Sequence, residues 1–300
     1  MDFKKDLKEI LLTRLKELET VISTFNYTNQ IDEHESVDSI YLKYLNLIRR
    51  RVEPKPRQVL QSRELVCPPG YEQSLKDIEK EIIKGEDITP YLSKGVQSLN
   101  RLDSLLYDWD IHHIHLGSVA TPGQFASRTG PVLFARFQED NAYFIQIMQH
   151  GRGYKPWFRQ DLVKIIQKNW PNTLASHELN AEIEDQPSDD DIEVWRKGSI
   201  NVPVVTSNGT PYITPGGGQT LSGHNILDVA LKNYVITNTE RFETFFKANL
   251  EVIKKKATDA GEVLGDPPKF KLKNIEVEND QLIFYIDEET SGVKFRSTSQ

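Results

Sequence analysis

Four of the seven histidines, His112, His113, His115 and His150, fall within a span of 39 residues. Imidazole titrates near neutral pH, so such a cluster can both accept and donate protons in one reaction. Side chains alternate across a strand. In an extended segment 111–116, His113 and His115 therefore share one face, while His112 lies with Ile114 and Leu116 on the other. In a hairpin built from 132–138 and 142–149, Leu133, Ala135 and Phe137 pack with Tyr143, Ile145 and Ile147. Arg136, Gln146 and His150 then point the opposite way. One antiparallel sheet would collect His113, His115, Arg136, Gln146 and His150 on a polar surface. Without metal, one histidine of such a set can take the proton of a ribose 2′-hydroxyl. Another can protonate the leaving 5′-oxygen, and an arginine can stabilise the charged phosphorane. With metal, three imidazoles can bind zinc and leave a position for water, although no His-Glu-x-x-His helix or cysteine pair accompanies them. In a third reading the histidines only hydrogen-bond within a packed sheet.

Other groups stand near this cluster in sequence. Arg152, Tyr154, Lys155, Trp157 and Arg159 mix positive charge with rings on which unpaired bases can stack. Arg49, Arg50, Arg51, Lys55 and Arg57 form a second basic group, either a phosphate-contacting arm or a solvated linker. Gly216, Gly217 and Gly218 free the backbone for close approach, but lack the Lys-Ser/Thr ending of a nucleotide-binding loop, so a flexible turn is expected. His224 follows in the same region. Cys67 has no histidine near it in sequence, so a nucleophilic role is not expected.

The elements that must position these groups follow from periodicity. Apolar residues at three- and four-residue steps predict helices over 2–25, 37–50, 72–83, 88–106, 157–169 and 226–257. The period becomes alternating near Asp110, giving a short His-rich strand and then the hairpin, whose turn is Glu139-Asp140-Asn141. A terminal hairpin spans 270–295 and turns at Glu278-Asn279-Asp280. From Glu178 to Glu193 there are eight carboxylates and no Lys or Arg, which reads as an exposed acidic connection or as a segment masking a basic site.

The order of helix, His-rich strand, basic loop and hairpin ending in His150 resembles the compact sheet ribonucleases of the RelE-like and colicin-type toxin group, over 103–171. That resemblance implies RNA cleavage without metal. It makes His113 and His115 the base and its orienting partner, His150 the acid, and Arg136 or Arg128 the phosphate binder.

The chain has 300 residues, 38% hydrophobic and 27% charged, with a net charge of −7. This composition excludes collagen-like, disordered and membrane-spanning classes. One cysteine excludes a disulfide framework. No apolar leader core follows Met1, and a reducing cytoplasm is the expected compartment. A negative chain meets RNA through a local basic set, here Arg128, Arg136, Arg152, Lys155 and Arg159. The expected fold is α+β, with a helical region 1–58, a catalytic region 59–175, an acidic linker 176–198 and a mixed region 199–300. The expected function is a metal-independent ribonuclease using catalytic His113, His115, His150 and Arg136. Arg128, Gln146, Arg152, Tyr154, Lys155 and Trp157 would hold the substrate. No cofactor is expected. The partners are RNA, or a protein bound through the N-terminal helices, and no membrane. The alternatives are a non-catalytic interaction module and a zinc-dependent hydrolase.

Overall fold

A computed structural model describes residues 1–184, 186–279 and 281–298. Asp185 of the acidic run and Asp280 of the terminal turn lie outside the described residues. The chain runs α1 (Phe3–Leu18), α2 (Val37–Arg50), β1 (Gln58–Gln61), α3 (Glu72–Lys84), α4 (Ser104–Trp109), β2 (His112–His115), β3 (Pro131–Phe137) and β4 (Asn141–Gln149). It continues through α5 (Asp161–Asn169), α6 (Asp189–Lys197), β5 (Val204–Val205), β6 (Pro211–Tyr212), α7 (Ile226–Ala248), α8 (Leu250–Asp259), β7 (Phe270–Glu278), β8 (Gln281–Glu288) and β9 (Lys294–Thr298). The fold is α+β. Among the described residues, no helix is long and apolar enough to cross a membrane.

Two compact units divide the chain. One comprises 1–18, 26–44 and 228–300, the other 19–25 and 45–227. These units do not follow the four consecutive segments expected from composition, because α1 packs with the C-terminal strands. Its buried stripe of Phe3, Leu7, Leu11 and Leu15 joins Phe242, Phe246, Phe270 and Phe284, and Phe242 stacks on Phe284 at 4.2 Å. Asp6 accepts the Leu272 N–H at 2.9 Å, tying α1 to β7.

The second unit holds the four clustered histidines. Its sheet has the order β1-β4-β3-β2, antiparallel except that β1 runs parallel to β4. The strand β1 follows the proline-rich stretch after α2 and was not legible as a strand. Val132, Phe134 and Ile145 of the sheet pack on Leu162, Val163 and Ile166 of α5, together with Trp109, Ile111 and Ile192. Burial of this size is the main stabilising contribution to the unit.

The helix expected over 88–106 is two 3-10 turns, Thr89–Tyr91 and Lys94–Gln97, followed by the short α4. Pro90 and Gly95 interrupt the helical period there. Asp103 caps α4 by accepting the Leu106 N–H at 3.2 Å. Asp110 ends it in the left-handed region at φ 58°. That turn sends the chain straight into β2, and so sets where the histidines begin.

The acidic stretch is also not a linker. Ser188 and Asp191 form a reciprocal capping box that starts α6. Arg196 near the end of α6 is buried, and donates to Asp108 through Nε at 2.9 Å and Nη2 at 2.7 Å. Its guanidinium lies 4.1 Å over the Trp109 ring. The triple glycine is packed rather than flexible. Gly216 and Gly218 donate to the Asp108 and Tyr107 carbonyls at 3.1 and 2.8 Å, satisfying the end of α4. A Cβ at Gly216 would lie 2.2 Å from the Leu106 carbonyl oxygen.

Candidate active site

Strand register carries the histidines into place. His113 pairs with Phe134 and His115 with Val132 across β2 and β3, and β4 returns its end to the same side. The ring centroids of His115 and His150 are 5.1 Å apart, and those of His113 and His115 are 6.4 Å apart. Trp157, in the 3-10 turn Pro156–Phe158, stands 4.7 Å from His113 and 5.8 Å from His150. Two of the imidazoles thus flank the indole, and His115 lies against both of them.

Hydrogen bonding assigns their protons. His150 Nδ1 lies 2.6 Å from the Gly130 carbonyl oxygen, which can only accept, so Nδ1 carries hydrogen and Nε2 is left for a ligand. The Gly130 carbonyl also accepts the His150 backbone N–H at 2.9 Å, which fixes the residue at the end of β4. His115 has the opposite arrangement: its Nδ1 accepts a long 3.5 Å bond from the Thr129 N–H, so Nε2 is the donor. Thr129 is itself held, donating from Oγ1 to the Pro131 carbonyl at 2.6 Å and accepting the Leu116 N–H at 3.1 Å.

Burial lowers the pKa of His113 to about 4 and that of His115 to about 3, with neighbouring imidazoles and Arg128 pushing the same way. Asp103 opposes this at His113. Both rings are neutral at pH 7.

These groups line a cavity of about 720 Å³ with Arg128, Trp157, Phe158, Asp103 and Arg101. That volume is typical of a small-ligand pocket. Arg128 donates to the Leu92 carbonyl at 3.0 Å. His112 lies across the sheet as expected, its ring 5.4 Å from Phe137, yet it also reaches this cavity. Its ring is buried, which lowers its pKa, while Asp110, Asp103 and the Arg49 backbone act the other way.

Of the residues expected at the site, His113, His115, His150, Arg128 and Trp157 come together. Arg136 does not. It is buried and donates from Nε to Asp110 at 2.9 Å and from Nη1 to the Thr173 carbonyl at 3.0 Å, bracing the turn before β2. Gln146 donates to the Glu64 carbonyl at 2.6 Å and accepts the Val66 and Ile147 N–H groups, so it fixes a loop. Tyr154 and Lys155 line a separate groove of about 1180 Å³ with Arg159, and Arg152 is exposed outside both. Lys155 is paired with Glu193 at 2.5 Å and Asp190 at 3.4 Å, and Arg159 with Asp189 at 3.1 Å. The acidic helix thus pairs with Lys155 and Arg159, two of the five basic residues that the sequence offered for RNA.

The second basic group is absorbed into the fold. Arg51 pairs with Asp87 at 3.0 Å, Lys55 with Glu139, and Arg57 donates to the Gln138 carbonyl at 2.9 Å. Arg50 lines the cavity while donating to the Gly95 and Ser98 carbonyls at 2.7 and 2.8 Å. Cys67 is half-buried, burial raises its pKa, and neither it nor His224 lines the cavity. Among the described residues, no three His, Cys, Asp or Glu side chains are arranged to hold a metal ion, so the three-imidazole zinc set is not assembled.

Sequence reasoning missed Arg101 and Asp103 as cavity residues. They sit in the segment taken for a continuous helix, whose face pattern could not have brought them to the histidines. Comparison of the chain with protein-family models, curated proteins and solved structures gives no match. The functional reading therefore rests on the chemistry of the site.

Proposed function

We propose that this chain cleaves RNA without metal, using the histidines of the β2–β4 cavity. The observation that carries the reading is the clustering of His113, His115 and His150, the first and last of them against Trp157, within one cavity that also holds Arg128. His113, neutral at pH 7, takes the proton of a ribose 2′-hydroxyl as the 2′-oxygen bonds to phosphorus. The bond from phosphorus to the 5′-oxygen breaks, and that oxygen takes a proton from Nε2 of His150, whose Nδ1–H stays bonded to Gly130. His115 donates from Nε2 and Arg128 supplies charge to the phosphorane oxygens. The products are a 2′,3′-cyclic phosphate and a free 5′-hydroxyl, and the two histidines regain their protonation from solvent. The test is incubation of purified protein with single-stranded RNA in EDTA. Cyclic-phosphate ends are expected. Cleavage lost in EDTA and restored by zinc would move the assignment to the hydrolase alternative.

A second reading has its own support. The depressed pKa values of His113 and His115 also suit imidazoles that serve as neutral packing groups around Trp157, in a non-catalytic interaction module. Well-folded protein that cleaves no RNA would select it.

A further inference from the structure

We infer that the histidine cavity is a pocket for one phosphorylated nucleotide unit, with the phosphate held by Arg101 and Arg128. The proposal rests on the ribonuclease reading only for why the anion is nucleotide-borne. Anion recognition stands on geometry.

Three arginines line the cavity; Arg50 is committed to the Gly95 and Ser98 carbonyls, and Arg101 and Arg128 are the other two. Arg128 is anchored to the Leu92 carbonyl at 3.0 Å and lies 5.9 Å over the Phe125 ring. The Arg101 stem passes against Gly95, where a Cβ would sit 3.1 Å from its Cγ. Among the described residues, neither guanidinium has a carboxylate partner, unlike Lys155, Arg159 and Arg196. Asp103 is the sole carboxylate among the described lining residues, and it is occupied in capping α4. His113 and His115, which line the same cavity, are neutral at pH 7. Against one lining carboxylate, Asp103, the arginines give the cavity an excess of positive charge, and a phosphate is the complementary ligand. Trp157 and Phe158 also line the cavity and offer rings to a base.

Size sets the substrate class. A space of about 720 Å³ accepts a single nucleotide and excludes a duplex. RNA would enter by an unpaired end or by an unstacked nucleotide.

The experiment is calorimetric titration of the intact protein with adenosine monophosphate and with adenosine, repeated on Arg101→Gln and Arg128→Gln. Adenosine monophosphate should bind at least about tenfold more tightly than adenosine, and each substitution should remove about tenfold of that affinity while leaving adenosine unchanged. Arg101 is exposed, so its variant folds even where loss of the Arg128 bond to Leu92 disturbs the loop. Equal affinity for the two ligands, or affinity unchanged in Arg101→Gln, overturns the proposal. A blunt RNA duplex that competes as well as a single strand also overturns it. RNA cleavage without nucleotide binding removes this pocket and leaves the ribonuclease reading standing. Arginine-dependent nucleotide binding without RNA cleavage supports the pocket and removes the ribonuclease.

Discussion

His115 and His150 sit 5.1 Å apart with opposite proton placement, because one faces a backbone N–H and the other a carbonyl. Both rings so fixed leave Nε2 for a ligand. Replacing His113 or His150 by Gln should lower RNA cleavage about a hundredfold or more, with the melting temperature of His150→Gln little changed. His112→Gln should act mainly on stability. A paired activity and thermal-melt assay on the three variants checks this, and loss of activity confined to His112→Gln would sink the assignment. Protonation supplies a second test. The folded pKa values of His113 and His115, about 4 and about 3, lie below the unfolded value of about 6.5. Between these limits the unfolded chain binds more protons, so stability is fully present above about pH 6.5 and is lost as pH falls toward 4. Each histidine contributes a slope of at most about 1.4 kcal/mol per pH unit. Urea unfolding at pH 7, 5.5 and 4.5 measures this, and His115→Gln should flatten the curve. An unaltered slope in that variant would show that His115 is not held neutral.

At the scale of elements, the site depends on contacts that the histidines do not make. Arg196 of α6 bonds Asp108 of α4 and donates to the Trp157 carbonyl, so one buried cation fixes the acidic helix, the helix before β2 and the turn carrying the indole. Removing it as Arg196→Met leaves Asp108 buried and unpaired, at a cost of about 3–5 kcal/mol. Adding Asp108→Leu should recover much of that loss in a denaturation cycle. If the double variant is no more stable than the single, the pair is not the link between these elements. The partners of Lys155 and Arg159 on α6 also decide where RNA can bind. Lys155→Ala and Arg159→Ala should change RNA affinity less than about twofold, against about tenfold for Arg128→Gln. Fluorescence polarisation with a labelled single strand distinguishes these sites, and a large loss at Lys155 would return the basic surface to the substrate path.

For the whole molecule, a net charge of −7 sets the background against which any polyanion binds. With two arginines meeting phosphate, log affinity for single-stranded RNA should fall with log salt at a slope of about −1.4. A slope near −3.5, as five phosphate contacts would give, would restore the broad basic surface read from the sequence. Partition of the chain into units has a consequence of its own. The unit containing 228–300 also contains 1–18, so deleting the first 18 residues should expose that C-terminal part to limited proteolysis. The region 45–227 should resist longer. Equal cleavage of both would argue that α1 does not complete the C-terminal core.

The sequence by itself determined the local elements and the α+β class, because helical and strand periods are written in nearest-neighbour spacing. Helix α2, the hairpin of β3 and β4 and the His-rich strand β2 appear within a residue or so of their expected places. Alternation also placed His113 and His115 on one face. Tertiary structure alone decided which charges remain available. Arg136 meets Asp110, 26 residues away, Lys155 meets Glu193 and Arg51 meets Asp87, each neutralised by a carboxylate remote in sequence. The same holds for β1, whose partner β4 lies about 80 residues on and whose four residues carry no period of their own. Arg101 and Asp103 reach the histidines only because Pro90 and Gly95 break the expected helix into turns. Periodicity reports what a segment buries, whereas a site is made of groups that separate segments bring together, and only packing fixes that pairing.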